Sequence, residues 1–77
     1  MSVSEELRGA REERGLSVRD LARITNVKGI IIRALERGEA DILSPLEDIR
    51  VYLRAYARQV GLDPHDVTIR YLAQLGV

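Results

Sequence analysis

The stretch that decides the fold reads "GLSVRDLARITNVKGIIIRALERGE", residues 15–39. Ser17 and Asp20 are spaced as a capping box, which pairs a hydroxyl with a carboxylate three residues later at a helix start. Asn26 stands where the chain must turn, and asparagine tolerates a left-handed backbone better than most residues. Gly38 follows a run with helical spacing and is typical of a helix C-terminal end. The stretch therefore predicts two short helices joined by a tight turn.

The same signals continue on both sides of this stretch. Ser44, Pro45 and Glu47 predict the start of a long helix with the serine as its cap, and Asp63 before a proline predicts another start. Strand patterns are absent, and apolar residues at helical spacing predict a core that includes Leu43. The sequence thus predicts an all-α fold, a compact bundle of five helices at about 4–14, 17–24, 28–37, 45–60 and 64–75.

Length, charge and composition limit the classes of function. Seventy-seven residues suffice for one domain, so we predict a single domain over residues 1–77. The net charge is zero, whereas free-standing DNA-binding modules usually carry a basic excess. The chain has no cysteine, which excludes disulfides and thiolate metal sites and suits a reducing compartment. Because no signal peptide or membrane span is legible, we expect a cytoplasmic location, either free or as part of a membrane-anchored protein.

The sequence shows no set of residues with the pattern of a catalytic site, so we predict that the chain is not an enzyme. His65 beside Asp63 and Asp66 is a weak metal pattern, because such groups in a first helical turn more often cap the helix or remain solvated. A glycine-rich phosphate loop is missing as well. We therefore expect no cofactor, metal ion or small-molecule substrate, and we look for function on a binding surface.

Residues 5–40 resemble the helix-turn-helix of the phage-repressor, Cro and Xre type. The resemblance rests on the stretch quoted above, with the pair Leu21-Ala22 where two helices cross closely and Asn26 at the turn. It implies a lambda-repressor-like fold and a DNA-binding regulator, as a monomer or a homodimer, with the third helix in the major groove. Under this alternative the candidate nucleic-acid contacts are Lys28, Arg33, Arg37, Ser17 and Arg19.

The outward face of the third helix argues against sequence-specific reading of DNA. A helical wheel places Ile30 and Ala34 opposite the core, and the resemblance implies that Gly29, Ile30 and Ala34 hold positions where repressors commonly carry side chains aimed at bases. Base edges need donors and acceptors, whereas isoleucine and alanine can touch only a thymine methyl. Val18 likewise replaces the polar residue, often glutamine, that opens the second helix in many repressors. Ile30 and Ile31 can instead contact a protein partner, or pack beneath another helix.

Residues 50–64, "RVYLRAYARQVGLDP", resemble the sequence that follows the helix-turn-helix in the bacterial cell-shape family RodZ. RodZ carries an R-G-F/Y-L-R-x-Y-A pattern and then a G-L-D turn, and here Val51 replaces the usual glycine. With the third helix included, the resemblance covers residues 4–72. It implies a cytoplasmic domain that binds the actin-like filament protein MreB. RodZ proteins also have a membrane anchor downstream, so we expect either a fragment of such a protein or a short soluble relative.

The resemblance places the MreB contact on aromatic residues of the fourth helix, where Tyr52 and Tyr56 are the matching positions. Both lie at the edge of the apolar stripe, where a tyrosine can bury its ring and keep its hydroxyl in water, or simply seal the core. Arg50, Arg54 and Arg58 form a stripe that can meet phosphate, anionic lipid or an acidic partner, or remain solvated.

Two functions of different classes therefore remain open. The first is a protein-interaction module of the RodZ type that docks on an MreB-type filament, and the alternative is an Xre-type DNA-binding regulator. The apolar outward face and the zero net charge favour the first. The candidate protein-binding residues are Tyr52, Tyr56, Arg50, Arg54, Ile30 and Ile31.

Overall fold

A computed structural model describes all 77 residues, which form six α-helices and no strand. The helices are α1 (Val3–Glu13), α2 (Val18–Thr25), α3 (Gly29–Arg37), α4 (Ala40–Leu43), α5 (Leu46–Val60) and α6 (Pro64–Gln74). The all-α prediction is confirmed, but the count of five is wrong because it omits α4. The helix α4 is one turn long and no side chain caps it, so its sequence lacks the capping and length signals that predict a helix. None of the six has the length and apolar run that crossing a bilayer requires.

Two of the three predicted helix caps are confirmed. Ser17 and Asp20 exchange hydrogen bonds as a capping box at α2, and Asp63 accepts two backbone amides at the start of α6. The predicted cap at Ser44 is wrong, because the extended Pro45 itself holds the cap position of α5 and no side chain accepts a bond there. The helix therefore begins one residue later than the capping pattern predicts.

The turn between α2 and α3 confirms the role predicted for Asn26. Its φ of 59° and ψ of 27° are left-handed, and it is the only residue other than glycine with a positive φ. The Thr25 hydroxyl donates to the Leu21 carbonyl at 2.6 Å and accepts the Val27 amide at 3.2 Å. These two bonds fix the end of α2 and the turn, and α3 then packs against α2.

One core joins the helices, and α5 lies at its centre. α5 packs on α6 over the largest contact and also touches α1, α2 and α4. The core consists of Val3, Leu7, Leu21, Val27, Ile32, Ala34, Leu35, Ala40, Ile49, Leu53, Tyr56, Ala57, Val60, Val67 and Tyr71. Leu43 is exposed, so its prediction as a core residue is wrong: the single turn of α4 buries only Ala40.

The two ends of the chain meet where α6 packs on α1. Gln74 accepts the backbone amide of Val3 at 2.9 Å and donates to the Ser4 hydroxyl at 2.6 Å. One turn earlier, the Arg70 guanidinium donates to both carboxylate oxygens of Glu6, at 2.7 and 3.0 Å. These bonds from Arg70 hold the pKa of Glu6 below its ordinary value. The last helix is therefore fixed to the first by polar contacts as well as by the core.

Candidate functional site

The outward side of α3 is narrower than the helical wheel predicts. Ile32 and Leu35 are buried as expected, but Ala34 is only 1% exposed, which corrects its assignment to the outward face. Ile31 is half-buried and packs on the core, so only part of it is available to a partner. The reason is that α3 contacts three helices, α1, α2 and α4, which together cover more of its circumference than one core stripe would.

Ile30, Arg33 and Arg37 remain on the outward side of α3, and Lys28 lies just before the helix. Ile30 is 58% exposed. Neither Lys28 nor Arg33 has an acidic group within ion-pair distance, while Arg37 forms a loose surface pair with Glu39 at 3.9 Å. This side of α3 is therefore a basic surface with one exposed apolar side chain.

The beginnings of α2 and α3 lie against each other. A Cβ added to Gly29 would lie 3.6 Å from Cγ1 of Val18 and 3.8 Å from a terminal nitrogen of Arg33. Val18 is half-buried against the core, so it is a packing residue rather than a free contact. The Ser17 hydroxyl accepts the amide of its capping box, whereas Arg19 is exposed and has no ion-pair partner. The Ser17 hydroxyl keeps its own proton free to donate, and with the exposed basic side chains it suits contacts to phosphates.

Tyr56 lies inside the protein, which corrects its assignment to a binding surface. Its side chain is 1% exposed, and its hydroxyl lies 2.6 Å from Oε2 of Glu36 and 3.0 Å from the Leu7 carbonyl. A hydroxyl carries one proton, so the shorter contact is the donated bond to the carboxylate. Burial raises the pKa of Tyr56 far above its ordinary value, and the bond to Glu36 adds to that effect. Tyr56 is thus a structural residue whose hydroxyl fastens α5 to Glu36 of α3.

The same carboxylate holds a buried ion pair that the sequence patterns did not reveal. Arg11 donates to both oxygens of Glu36, at 2.8 and 3.0 Å, and also to the Leu16 carbonyl at 2.9 Å. The bond to Glu36 raises the pKa of Arg11. One signal was present: Arg11 lies four residues after Leu7, on the buried stripe of α1, and an arginine on such a stripe requires a buried acceptor.

Tyr52 remains available at the surface. Its ring is half-buried against the core, and its hydroxyl has no hydrogen-bond partner within the protein. Arg50 and Arg54, however, lie two residues away on either side, and residues two apart on a helix do not face each other. The neighbours of Tyr52 on the α5 surface are Asp48 and Ala55, four residues before it and three after. The predicted cluster of tyrosine and arginine is therefore divided between two sides of α5.

The arginine stripe forms the second surface of α5. Arg50, Arg54 and Arg58 are all exposed, and none has an acidic group within ion-pair distance. Val51, on the same side of the helix, is 58% exposed. The local ion pairs that usually accompany such a stripe are absent, so the three charges are free to meet an acidic group from outside the chain.

A comparison with protein families identifies the architecture. Residues 6–67 match the family model described as a helix-turn-helix domain, and this range contains α2, the Asn26 turn and α3. Neither the comparison with curated proteins nor that with solved structures gave a match. The matched family is typically non-enzymatic and is compatible with either a protein or a DNA partner. Since the match spans well over half of the chain, the protein belongs to the helix-turn-helix domain family.

Proposed function

We propose that this chain is a non-enzymatic protein-binding module of the RodZ type, which docks on an actin-like filament protein of the MreB type in the bacterial cytoplasm. The observation that carries the proposal is the outward side of α3. Gly29 offers no side chain there, Ala34 is covered, and Ile30 is apolar and 58% exposed. None of these positions has an accessible donor or acceptor for a base edge, whereas an exposed isoleucine suits an apolar protein contact.

The sequence of α5 supports the choice of partner. Its resemblance to RodZ implies an aromatic contact at one or both tyrosines, and Tyr52 is the one whose ring is partly exposed and whose hydroxyl has no partner in the protein. We propose Tyr52 as the aromatic contact, with Asp48 and Ala55 as its neighbours on the same side of α5. Tyrosine is among the residues that most often dominate the binding energy of an interface, because it adds a large rigid ring and a polar tip.

DNA is the second candidate partner, and one observation favours it. Arg19, Lys28 and Arg33 are exposed and have no acidic partner, and they lie near the beginnings of α2 and α3. Such cations bind phosphates and place a helix on the duplex, but they do not distinguish sequences. The expected DNA binding is therefore weak, independent of sequence and strongly dependent on salt.

Co-sedimentation with filaments of an MreB-type protein tests the proposal. Tyr52→Ala should weaken binding about thirtyfold, the usual cost of removing an aromatic side chain at an interface centre. Ile30→Ser should weaken it as well. Ile69→Ser is the matched control, because Ile69 is an equally exposed isoleucine on α6, outside the proposed surface. Tyr52 is half-buried, so the thermal midpoint of each variant must be measured beside its affinity. A folded Tyr52→Ala chain that binds filaments like the parent would refute the role of Tyr52.

A titration with labelled DNA separates the two candidates. We expect no duplex to be preferred by about a thousandfold over random DNA at physiological salt, the discrimination typical of specific regulators. Residual binding should fall steeply as salt rises, and Arg33→Ala should weaken it equally for all duplexes. A strongly preferred duplex, together with no binding to filaments, would replace the proposed function by the DNA-binding alternative.

A further inference from the structure

The exposed side of α5 around Val51 has an unusual composition. Val51 is 58% exposed in the middle of the helix, and no other part of the chain covers it. Its neighbours on the helix surface are the residues three and four positions away, because these share a side of an α-helix. They are Glu47 and Asp48 before it and Arg54 and Ala55 after it. The exposed side chain of Val51 thus has acidic neighbours toward the N-terminal end of α5 and an arginine toward the C-terminal end.

The charges along this part of the chain are segregated. Residues 39–48 contain four acids and no basic residue, whereas residues 50–58 contain three arginines and no acid. Neither Glu47 nor Arg54 has an ion-pair partner within the protein. The helix dipole explains acids in the first turn and a base in the last. It does not explain Arg54 in the middle of the helix, or the exposed Val51 between opposite charges.

A surface that is acidic at one end and basic at the other is complementary to itself when one copy is reversed. Two α5 helices packed antiparallel, with a two-fold axis near Val51, bring the valines of both copies together. Glu47 and Arg54 lie at nearly equal distances before and after this axis, and both lie on the same flank of Val51, about 40–60° from it on the helical wheel. Each glutamate then faces the arginine of the other copy.

We propose that this side of α5 is a self-association surface, on which a second copy of the chain binds antiparallel with Val51 at the two-fold axis. The glutamate–arginine contact occurs twice, as a two-fold interface requires. Ile42 and Leu43 support the choice of occupant, because both are exposed just before α5, where the far end of the second α5 would lie. Arg58 of that copy would approach the acidic residues Glu39 and Asp41.

This surface borders the one proposed for the filament partner, because Asp48 and Ala55 lie between Val51 and Tyr52 on the surface of α5. Tyr52 lies next to Val51 in sequence but about 100° away around α5, so a second copy on Val51 leaves the tyrosine accessible. Self-association would present two filament-binding surfaces on one particle, which raises the overall affinity for a repeating partner without any new contact. The inference does not depend on the filament proposal, because it rests only on the residues of α5 and α4.

Charge reversal on each side of the proposed contact tests the pairing. Sedimentation velocity of the parent over a concentration series should show a reversible monomer–dimer equilibrium that weakens as salt rises. Glu47→Arg and Arg54→Glu should each weaken dimerisation about tenfold or more, because every substitution acts twice and creates like-charge contacts. A one-to-one mixture of the two variants should regain the dimer, because arginine of one chain then meets glutamate of the other at both contacts.

Matched controls and contrary outcomes make the test decisive. Arg19→Glu reverses an exposed, unpaired charge on α2 and should leave dimerisation unchanged, and all variants should keep the parent's thermal midpoint within a few degrees. Val51→Asp should abolish the dimer. A parent that stays monomeric up to about millimolar concentration, the weak limit of specific association, overturns the proposal. A one-to-one mixture of Glu47→Arg and Arg54→Glu that remains monomeric also overturns the proposal. Binding of the arginine stripe to anionic vesicles or DNA, by a chain that stays monomeric, overturns it as well.

Discussion

The two ends of α3 have opposite surroundings. At the C-terminal end, Glu36 is held by Arg11 and Tyr56, and the Leu35 carbonyl accepts the hydroxyl of Tyr71 at 2.7 Å. At the N-terminal end no side chain caps the helix and Ile30 extends into solvent. The comparison separates two tasks: the C-terminal end fixes α3 in the fold, and the N-terminal end leaves an exposed apolar side chain that we propose for a partner. Substitutions should therefore alter stability at one end and binding at the other.

Glu36→Ala should have the largest effect. It leaves the Arg11 guanidinium buried without a negatively charged partner and removes the acceptor of Tyr56, and breaking a buried ion pair in this way typically costs about 3–5 kcal/mol. That is a large share of the stability of so small a domain, so denaturant melts should show a chain close to unfolding at room temperature. The double variant Arg11→Met with Glu36→Leu should regain most of the loss, because it removes both charges together. A single variant as stable as the parent would contradict the role of the network.

The tyrosines of α5 provide a matched pair for the same comparison. Tyr56→Phe removes a hydroxyl bonded to a buried carboxylate and should lower the free energy of unfolding by about 2 kcal/mol. Tyr52→Phe removes a hydroxyl without a partner in the protein and should change it by less than about 0.5 kcal/mol. Urea melts of the two variants check this. Equal losses of unfolding free energy in the two variants would contradict the difference in burial between Tyr52 and Tyr56.

Alkaline pH should loosen the C-terminal end of α3 before the N-terminal end. Burial raises the pKa of Tyr71 from 10.0 to about 12. The folded pKa exceeds the unfolded value, so this contribution is complete below pH 10 and is lost as pH rises from about 10 to about 12. The loss is on the order of 2 kcal/mol. Tyr71→Phe should make the stability profile less steep in this window, where the buried Tyr56 still contributes to the slope, and an unchanged profile would argue against the shift.

Gly9→Ala should stabilise the chain, by up to about 1 kcal/mol. Gly9 lies in the middle of α1, and an added Cβ would meet nothing within 4 Å, so the change removes backbone entropy without a clash. The matched control is Gly61→Ala at the end of α5, which should destabilise the chain because its φ of 76° is left-handed and the Arg14 guanidinium occupies the space. Thermal midpoints measure both. A loss of stability in Gly9→Ala would show that the fold requires the absence of a side chain at this position of α1.

Ile30→Ser should have the smallest effect on stability, within about 0.5 kcal/mol, because the side chain is mostly in solvent. Binding of the filament partner should fall at the same time. Chemical denaturation and co-sedimentation on one preparation test both parts of the statement. A large loss of stability would place Ile30 in the core and remove the contrast between the two ends of α3.

Most of the fold followed from local signals. The capping box at Ser17, the left-handed Asn26 and the aspartate cap at Asp63 are local devices, and the structure confirms them. Two errors were local, namely the cap predicted at Ser44 and the omission of α4, and the others concern how far the rest of the fold covers a residue. Ala34 is buried because three helices surround α3, and Leu43 is exposed because α4 is a single turn. A helical wheel of one helix shows neither which other helices cover α3 nor how short α4 is.

The candidate site was less predictable for the same physical reason. Tyr52 and Tyr56 lie about 40° apart on a helical wheel, yet one keeps a free hydroxyl and the other is sealed by Glu36 from α3. The depth of each depends on side chains that are distant in sequence. The division between Tyr52 and the arginine stripe, in contrast, was legible from helical spacing alone, because residues two apart cannot share a side.

The contact between Gln74 and Val3 has a consequence for protein engineering. Residues 71 positions apart along the chain are joined by a hydrogen bond, so both termini emerge at the same place on the surface. A domain built this way can be spliced into a loop of a host protein, or closed by a short linker and reopened elsewhere, with little strain. The turn between α1 and α2 is a suitable place for the new ends, since residues 12–15 are all exposed.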